Sequence, residues 1–265
     1  MIKLIATDMD GTLLRDDGKL PEGFYELFHR LEEKGVYFAI ASGRQYYTLL
    51  DNVAPVKEKM AFIAENGAVV MHRGKELFSC AVDRQMVEGI IRDAREVESC
   101  DIVLCGKNGA YIETEKEVFG EEVKKYYHRW QSVQDLLAVR DDILKIAVYD
   151  YAGSEENSYR ELYPKWGRKV NVTVSGKHWL DLGRPDVDKG VGLRQIQRTL
   201  GISEGETMIF GDYFNDVPMM EAAYYSYAMK NAPEEVKRKA RFEAPANEEE
   251  GVLEVIRKLE KEGLI

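Results

Sequence analysis

The string "DMDGT" at residues 8–12 places two carboxylates, Asp8 and Asp10, one residue apart after an apolar run. Like charges repel, and a buried carboxylate is costly without a partner. The pair therefore either lies at a solvated turn or shares something positive. On an extended segment, residues two apart project to the same side. Gly11 permits a sharp turn and the close approach of a ligand, while Thr12 can bond an anion or the turn itself. In "ASGR", Ser42 and Gly43 bring a hydroxyl and an open amide, which suit a phosphate oxygen. Arg44 either faces the same site or pairs with a surface acid. In "DKG", Lys189 stands at a helix start, where the helix dipole favours anions, so a cation there makes sense beside a bound anion. In "GDYFND", Asp212, Asn215 and Asp216 offer oxygen donors with no paired His or Cys. That set favours a hard cation, magnesium over zinc. Asp216 is also suited to capping the helix that follows.

Each string alone has a plainer reading: an Asp-rich turn, a Ser-Gly turn, a solvated lysine. Their positions change the balance. "IKLIAT", "VYFAIASG" and "TMIFGD" are short apolar runs that read as buried strands, and three of the four strings follow them. In open parallel sheets, sites form beyond the carboxyl ends of the strands, where three strand ends can converge. Between these strands, "PEGFYELFHRLEEKG" carries helical spacing at Phe24, Leu27, Phe28 and Leu31, and a helix is expected over residues 45–52. "AFIAENGAVVMHRGKELF" reads as short strands broken at Asn66-Gly67 and Arg73-Gly74. The pattern predicts a doubly wound, mostly parallel α/β sheet.

From about residue 82 the rhythm changes. Two hairpins are expected, one turning at Lys107-Asn108-Gly109 and one at Ser175-Gly176. "GEEVKKYYHRWQ" reads as helical, as does "SEENSYRELYPKWG" up to about Pro164. This block looks like a separate α+β domain inserted into the first. The doubly wound rhythm returns after "GRPDVDKG" and closes with the amphipathic "EEGVLEVIRKLEKEG".

Composition narrows the function classes. Hydrophobic residues make up 45% and charged residues 32% of the 265, ordinary for a globular chain. A net charge of −10 with no basic block argues against nucleic acid or an anionic membrane as partner. A small anionic substrate remains compatible, because a local cation overrides the average field. Three widely spaced cysteines read as reduced thiols, and four scattered histidines as structural. The opening "MIKLIATDMD" does not read as a signal peptide and no window reaches transmembrane length, so a cytoplasmic enzyme or binding protein is expected.

Taken in order, "DMDGT", "ASGR", the "DKG" lysine and "GDYFND" resemble the four motifs of the haloacid dehalogenase-like phosphatases. "ENGA" at 65–68, "AMKNA" at 228–232 and "NEEEGV" at 247–252 resemble the Cof-type subgroup with its large α/β cap. The resemblance implies a Rossmann-like core over residues 1–81 and 184–265, and a cap over 82–183 acting as a lid. It implies hydrolysis of phosphate monoesters of small metabolites through an aspartyl-phosphate. Asp8 would be the nucleophile and Asp10 the general acid and base. Mg²⁺ would be held by Asp8, Asp212 and the Asp10 carbonyl, with Asp216 orienting its water shell or Lys189. Lys189 would add positive charge, and Thr12, Ser42, Gly43 and Asn215 would meet phosphoryl oxygens. The turns Lys107-Asn108 and Lys177-His178-Trp179 would be candidates to contact the leaving group. A phosphomutase or a non-catalytic metabolite-binding relative are the alternatives. Ser42 replaces a threonine common in such relatives. Tyr213 and Phe214 are bulky, and would narrow the site or pack beneath it. "FEAPAN" lacks the threonine often seen before Asn247, which leaves that residue without an assigned role.

Overall fold

The structure is a computed structural model that describes residues 1–113 and 116–265. In chain order, the first segment runs β1 (Leu4–Thr7), α1 (Phe24–Glu33), β2 (Tyr37–Ala41), α2 (Tyr46–Asn52), β3 (Ala61–Ala64), β4 (Val69–His72) and β5 (Lys75–Ser79). The middle runs α3 (Arg84–Arg95), β6 (Cys100–Gly106), β7 (Gly109–Ile112), α4 (Glu117–Tyr126), β8 (Trp130–Ser132), β9 (Ile143–Asp150), α5 (Ser158–Trp166), β10 (Asn171–Gly176) and β11 (Trp179–Gly183). The last segment runs α6 (Lys189–Leu200), β12 (Thr207–Gly211), α7 (Val217–Met220), β13 (Tyr225–Met229), α8 (Glu234–Lys237), β14 (Phe242–Ala244) and α9 (Gly251–Lys261). The chain divides into two compact units, one of residues 1–78 and 188–265, the other of residues 79–187.

In the first unit the strand order is β14-β13-β12-β1-β2-β3-β4-β5. Pairing is parallel from β14 to β3, and β4 returns antiparallel on β3. Parallel neighbours need crossovers, and helices such as α1 supply them. Every residue of β1 and β12 is buried, as strands covered on both faces require. β1 lies between β2, which follows it in the chain, and β12, which arrives some 200 residues later. The order reverses there, so the carboxyl ends of β1 and β12 flank the switch point where such sheets hold their ligands. One face packs Leu4, Ala6, Ile63, Val70 and Ile209 against Leu193 and Ile196 of α6 and Met219 of α7. Full burial of each large aliphatic side chain contributes about 1.5–3 kcal/mol.

The second unit is a six-stranded sheet, β10-β11-β9-β6-β7-β8. One face of it packs Ile102, Leu104, Ile146, Val148 and Leu182 against α3 and α5. The other packs Val103, Cys105 and Ala147 against Phe119 and Val123 of α4. The first hairpin turns at Lys107-Asn108, inside the expected turn, with Gly106 opposite Gly109. The second turns at Lys177-His178 rather than Ser175-Gly176, because Gly176 still pairs with Trp179 across the ladder. α4 ends at Tyr126 and Trp130 opens β8, where one helix was expected, since β7 offers a free edge to pair. α5 continues past Pro164 to Trp166, whose indole donates to Asp93 at 2.8 Å and whose ring is buried. Among the described residues no helix is long and apolar enough to cross a membrane.

Candidate active site

The parallel pairing of β1 with β12 continues one step past the strand. The Asp8 amide donates to the Phe210 carbonyl at 3.0 Å. This bond sets Asp8 at the sheet's carboxyl edge. Beyond it the chain leaves the extended path in a wide turn, where Leu13 and Leu14 donate to the carbonyls of Asp8 and Met9. Gly11 occupies that turn at φ 78°, and a Cβ there would lie 2.4 Å from Asp212 Oδ2. Only glycine permits both the left-handed backbone and that approach.

The turn separates the two aspartates. Asp8 is 6% exposed, whereas the Asp10 side chain is 56% exposed and points to Arg44. Arg44 Nε donates to Asp10 Oδ2 at 2.8 Å and Nη2 to Oδ1 at 2.5 Å, a bidentate pair. The expectation that the two carboxylates share a side does not hold for this conformation. Same-side projection needs a strand, and the strand has already ended. The Asp10 carboxylate therefore stands apart from that of Asp8, while the metal role expected of Asp10 is through its main-chain carbonyl.

Lys189 is 1% exposed, not a solvated helix lysine. Its Nζ lies 2.6 Å from both Asp8 Oδ1 and Asp216 Oδ1. Asp188 caps α6 by accepting from the Val191 amide at 2.7 Å, and Lys189 is the first residue of the helix. Asp216 is fully engaged, because its Oδ2 also accepts from the amides of Asp212 and Tyr213. Asp212 Oδ1 accepts from the Thr12 hydroxyl at 3.0 Å, so Thr12 is tied to a carboxylate.

One buried ammonium cannot neutralise three carboxylates. Burial pushes Asp8 up to about 8, and Asp216 and Asp212 add to this against the pull of Lys189. Burial and Asp216 push Asp212 up to about 6. Burial alone would lower Lys189, but Asp216 and Asp8 outweigh it and hold the ammonium above its ordinary range. Carboxylate oxygens of Asp8, Asp212 and Asp216 lie within 4.8 Å of one another. The donors are hard oxygens with surplus negative charge, and that fits a small divalent cation such as Mg²⁺.

A second group gathers around Asn66, which "ENGA" carries in a left-handed turn at φ 53°. The Asn66 amide donates to the Ser42 carbonyl, and its side-chain oxygen accepts from Asn215 Nδ2 at 3.2 Å. A Cβ on Gly43 would lie 3.1 Å from the Asn66 side-chain Nδ2. Ser42 is buried, and its hydroxyl oxygen accepts from the Arg44 amide. Gly67 abuts the main chain of Asp188, which brings this turn to the start of Lys189. The structure thus joins Ser42, Gly43 and Asn215 through Asn66, a residue to which the motifs gave no task. Beside the resemblance carried by "ENGA", its local signal was an asparagine ahead of a glycine in a short turn. Tyr213 and Phe214 do not pack beneath the site. Both are exposed, with their rings edge to face at 5.2 Å.

Comparison with known proteins identifies the family of the chain as a whole. A family model described as haloacid dehalogenase-like hydrolase matches residues 5–256. The 5-amino-6-(5-phospho-D-ribitylamino)uracil phosphatase YbjI of Escherichia coli strain K12 is 33% identical, over 98% of this chain and 97% of its own. The phosphatase YcsE of Bacillus subtilis, named for the same substrate, is 26% identical over 97% and 95%. The crystal structure of SMU.1108c from Streptococcus mutans superposes with a TM-score of 0.87 at 27% identity, covering 98% of this chain and all of that one. This chain belongs to the haloacid dehalogenase-like hydrolases and is an enzyme of their phosphatase branch.

Proposed function

We propose that the enzyme releases phosphate from monoesters of small metabolites through a covalent phosphoryl group on Asp8. The observation that carries this is the buried Asp8 carboxylate at the end of β1, 2.6 Å from the buried Lys189 and beside Asp212 and Asp216. Asp8 attacks phosphorus in line, and the ester oxygen leaves with a proton from Asp10. Water then attacks the phosphorus of the aspartyl-phosphate and gives its proton to Asp10, which restores Asp8 and frees inorganic phosphate. Mg²⁺ held by Asp8, Asp212 and the Asp10 carbonyl would supply positive charge to the phosphoryl oxygens. Lys189 favours the ionised form of Asp8 against its burial and orients it, and Asp216 holds Lys189 with one oxygen and the Asp212–Tyr213 main chain with the other. Ser42, Gly43 and Asn215 donate to phosphoryl oxygens. Asp10 reaches the leaving oxygen only after exchanging its bonds to Arg44.

The two relatives named for 5-amino-6-(5-phospho-D-ribitylamino)uracil make that ester the first candidate among sugar phosphates and related metabolites. The test is phosphate release from a phospho-metabolite panel that includes it, with Mg²⁺. Asp8→Asn keeps the volume and removes the nucleophile. It is expected to lower kcat by at least about a thousandfold while the protein stays folded. Full turnover in that variant would falsify the assignment of Asp8.

A further inference from the structure

We propose that Asn231 and Asn247 are positioning residues that clamp the Asp10–Leu14 turn from outside the carboxylate cluster. The proposal rests on the reading of that turn as part of a phosphatase site. Asn231 follows β13 and Asn247 precedes α9, more than 200 residues from the turn in sequence. Asn231 Nδ2 donates to the Gly11 carbonyl at 2.8 Å. Asn231 Oδ1 accepts from the Asn247 amide at 3.3 Å. Asn247 Nδ2 donates in turn to the Leu14 carbonyl at 3.1 Å and to Asp16 Oδ1 at 2.9 Å. The two asparagines form one relay whose ends grip carbonyls on either side of Thr12-Leu13.

The chemistry selects asparagine at position 231. Its partner on one side is a carbonyl, an acceptor only, and on the other an N–H, a donor only. One side-chain amide satisfies both, in a single orientation. The grip also has a geometric consequence. The Gly11–Thr12 peptide is planar and trans, so fixing the Gly11 oxygen fixes the Thr12 N–H in the opposite direction. Glycine gives this peptide the weakest intrinsic hold on its own dihedrals. The same peptide lies between Asp10 and Thr12, the residue that donates to Asp212. A clamp there orients the general acid and the carboxylate partner together. It also gives Asn247 a role that the motif around it did not suggest.

Asn231 is exposed, its bond to Gly11 is open to solvent and the Asn247 amide that it also accepts from is only part-buried, so the fold is expected to survive its loss. Asn231→Ala and Asn231→Asp are compared with the wild type by phosphate release under saturating Mg²⁺, by thermal melting, and by hydrogen exchange across residues 9–14. Both variants are expected to lose about tenfold or more in kcat, as small misplacements of reacting groups do. KM should stay within about threefold and Tm within about 2 °C, with faster exchange in the turn. Asn231→Asp separates the two bonds, because a carboxylate accepts from Asn247 but cannot donate to Gly11. Adding Asn247→Ala to Asn231→Ala should cost little further kcat, since one relay is already broken. Wild-type kcat and exchange in Asn231→Ala overturn the proposal. So does a kcat loss that only accompanies a large fall in Tm. An inactive wild type instead overturns the phosphatase reading, while the exchange measurement still reads the clamp.

Discussion

Burial raises the Asp8 carboxyl against the pull of Lys189 2.6 Å away, and the direction of that shift has a measurable consequence. The carboxyl is raised from 3.8 to about 8 by burial and by its acidic neighbours. Between those values the native state binds a proton that the unfolded chain has released, so stability falls as pH rises through this window. The slope is up to about 1.4 kcal/mol per pH unit. Metal-free protein should therefore melt at lower temperature at pH 8 than at pH 6, and Asp8→Asn should flatten the trend. Added Mg²⁺ should raise Tm more at pH 8 than at pH 5, because the cation competes with the proton for the same oxygens. Calorimetric scans across this pH range decide it, and equal slopes in wild type and variant would count against the assignment. Asp10 has a different signature. A general acid matters most when the leaving group is a poor one. Asp10→Asn should cost at least about a hundredfold in kcat on an alkyl phosphate. On p-nitrophenyl phosphate, whose phenolate leaves without a proton, the loss should be much smaller. Equal losses on both esters would remove the proton-transfer role.

At the scale of elements, the site depends on how turns abut helix starts. Gly67 sits at φ 99°, and a Cβ there would lie 2.1 Å from the Asp188 carbonyl. That carbonyl belongs to the residue that caps α6 immediately before Lys189. Gly67→Ala should therefore destabilise the protein by on the order of 1–3 kcal/mol and displace the lysine from its two carboxylates. Urea midpoints and kcat are expected to fall together; a variant with wild-type values for both would show that the turn yields freely. The same scale explains which elements could be read in advance. α1 was legible because Phe24, Leu27, Phe28 and Leu31 mark one buried face and Gly35 ends it with a positive φ. β8 was not, because three residues beside a helical pattern become a strand only when β7 offers them an edge. The helical reading of Trp130 failed for that reason.

At the scale of the molecule, two distant segments of chain build one sheet, and the site exists only where they meet. β1 brings Asp8 and Thr12; the returning segment brings Lys189, Asp212 and Asp216. The single buried ammonium of Lys189 offsets only part of the charge of Asp8, Asp212 and Asp216, so the site shares the negative sign of the whole chain. Residues 79–187 carry their own six-stranded sheet and two apolar clusters. Expressed alone, this unit should unfold cooperatively, followed by circular dichroism and urea; a broad, non-cooperative transition would mean its core needs the remainder of the chain. By itself the sequence determined the alternation of buried strands and helices, the oxygen-rich donor set and the polar residues at three strand ends. Those properties are local, since residue type and spacing dictate burial, turning and ligand preference. Tertiary structure alone decided that Asp10 faces Arg44 while Asp8 faces Lys189. It also decided that Asn66 joins Ser42 to Asn215, and that Asn231 and Asn247 reach the Gly11 turn. Each of these contacts closes a loop of tens to hundreds of residues, and no local pattern encodes where the far partner will stand.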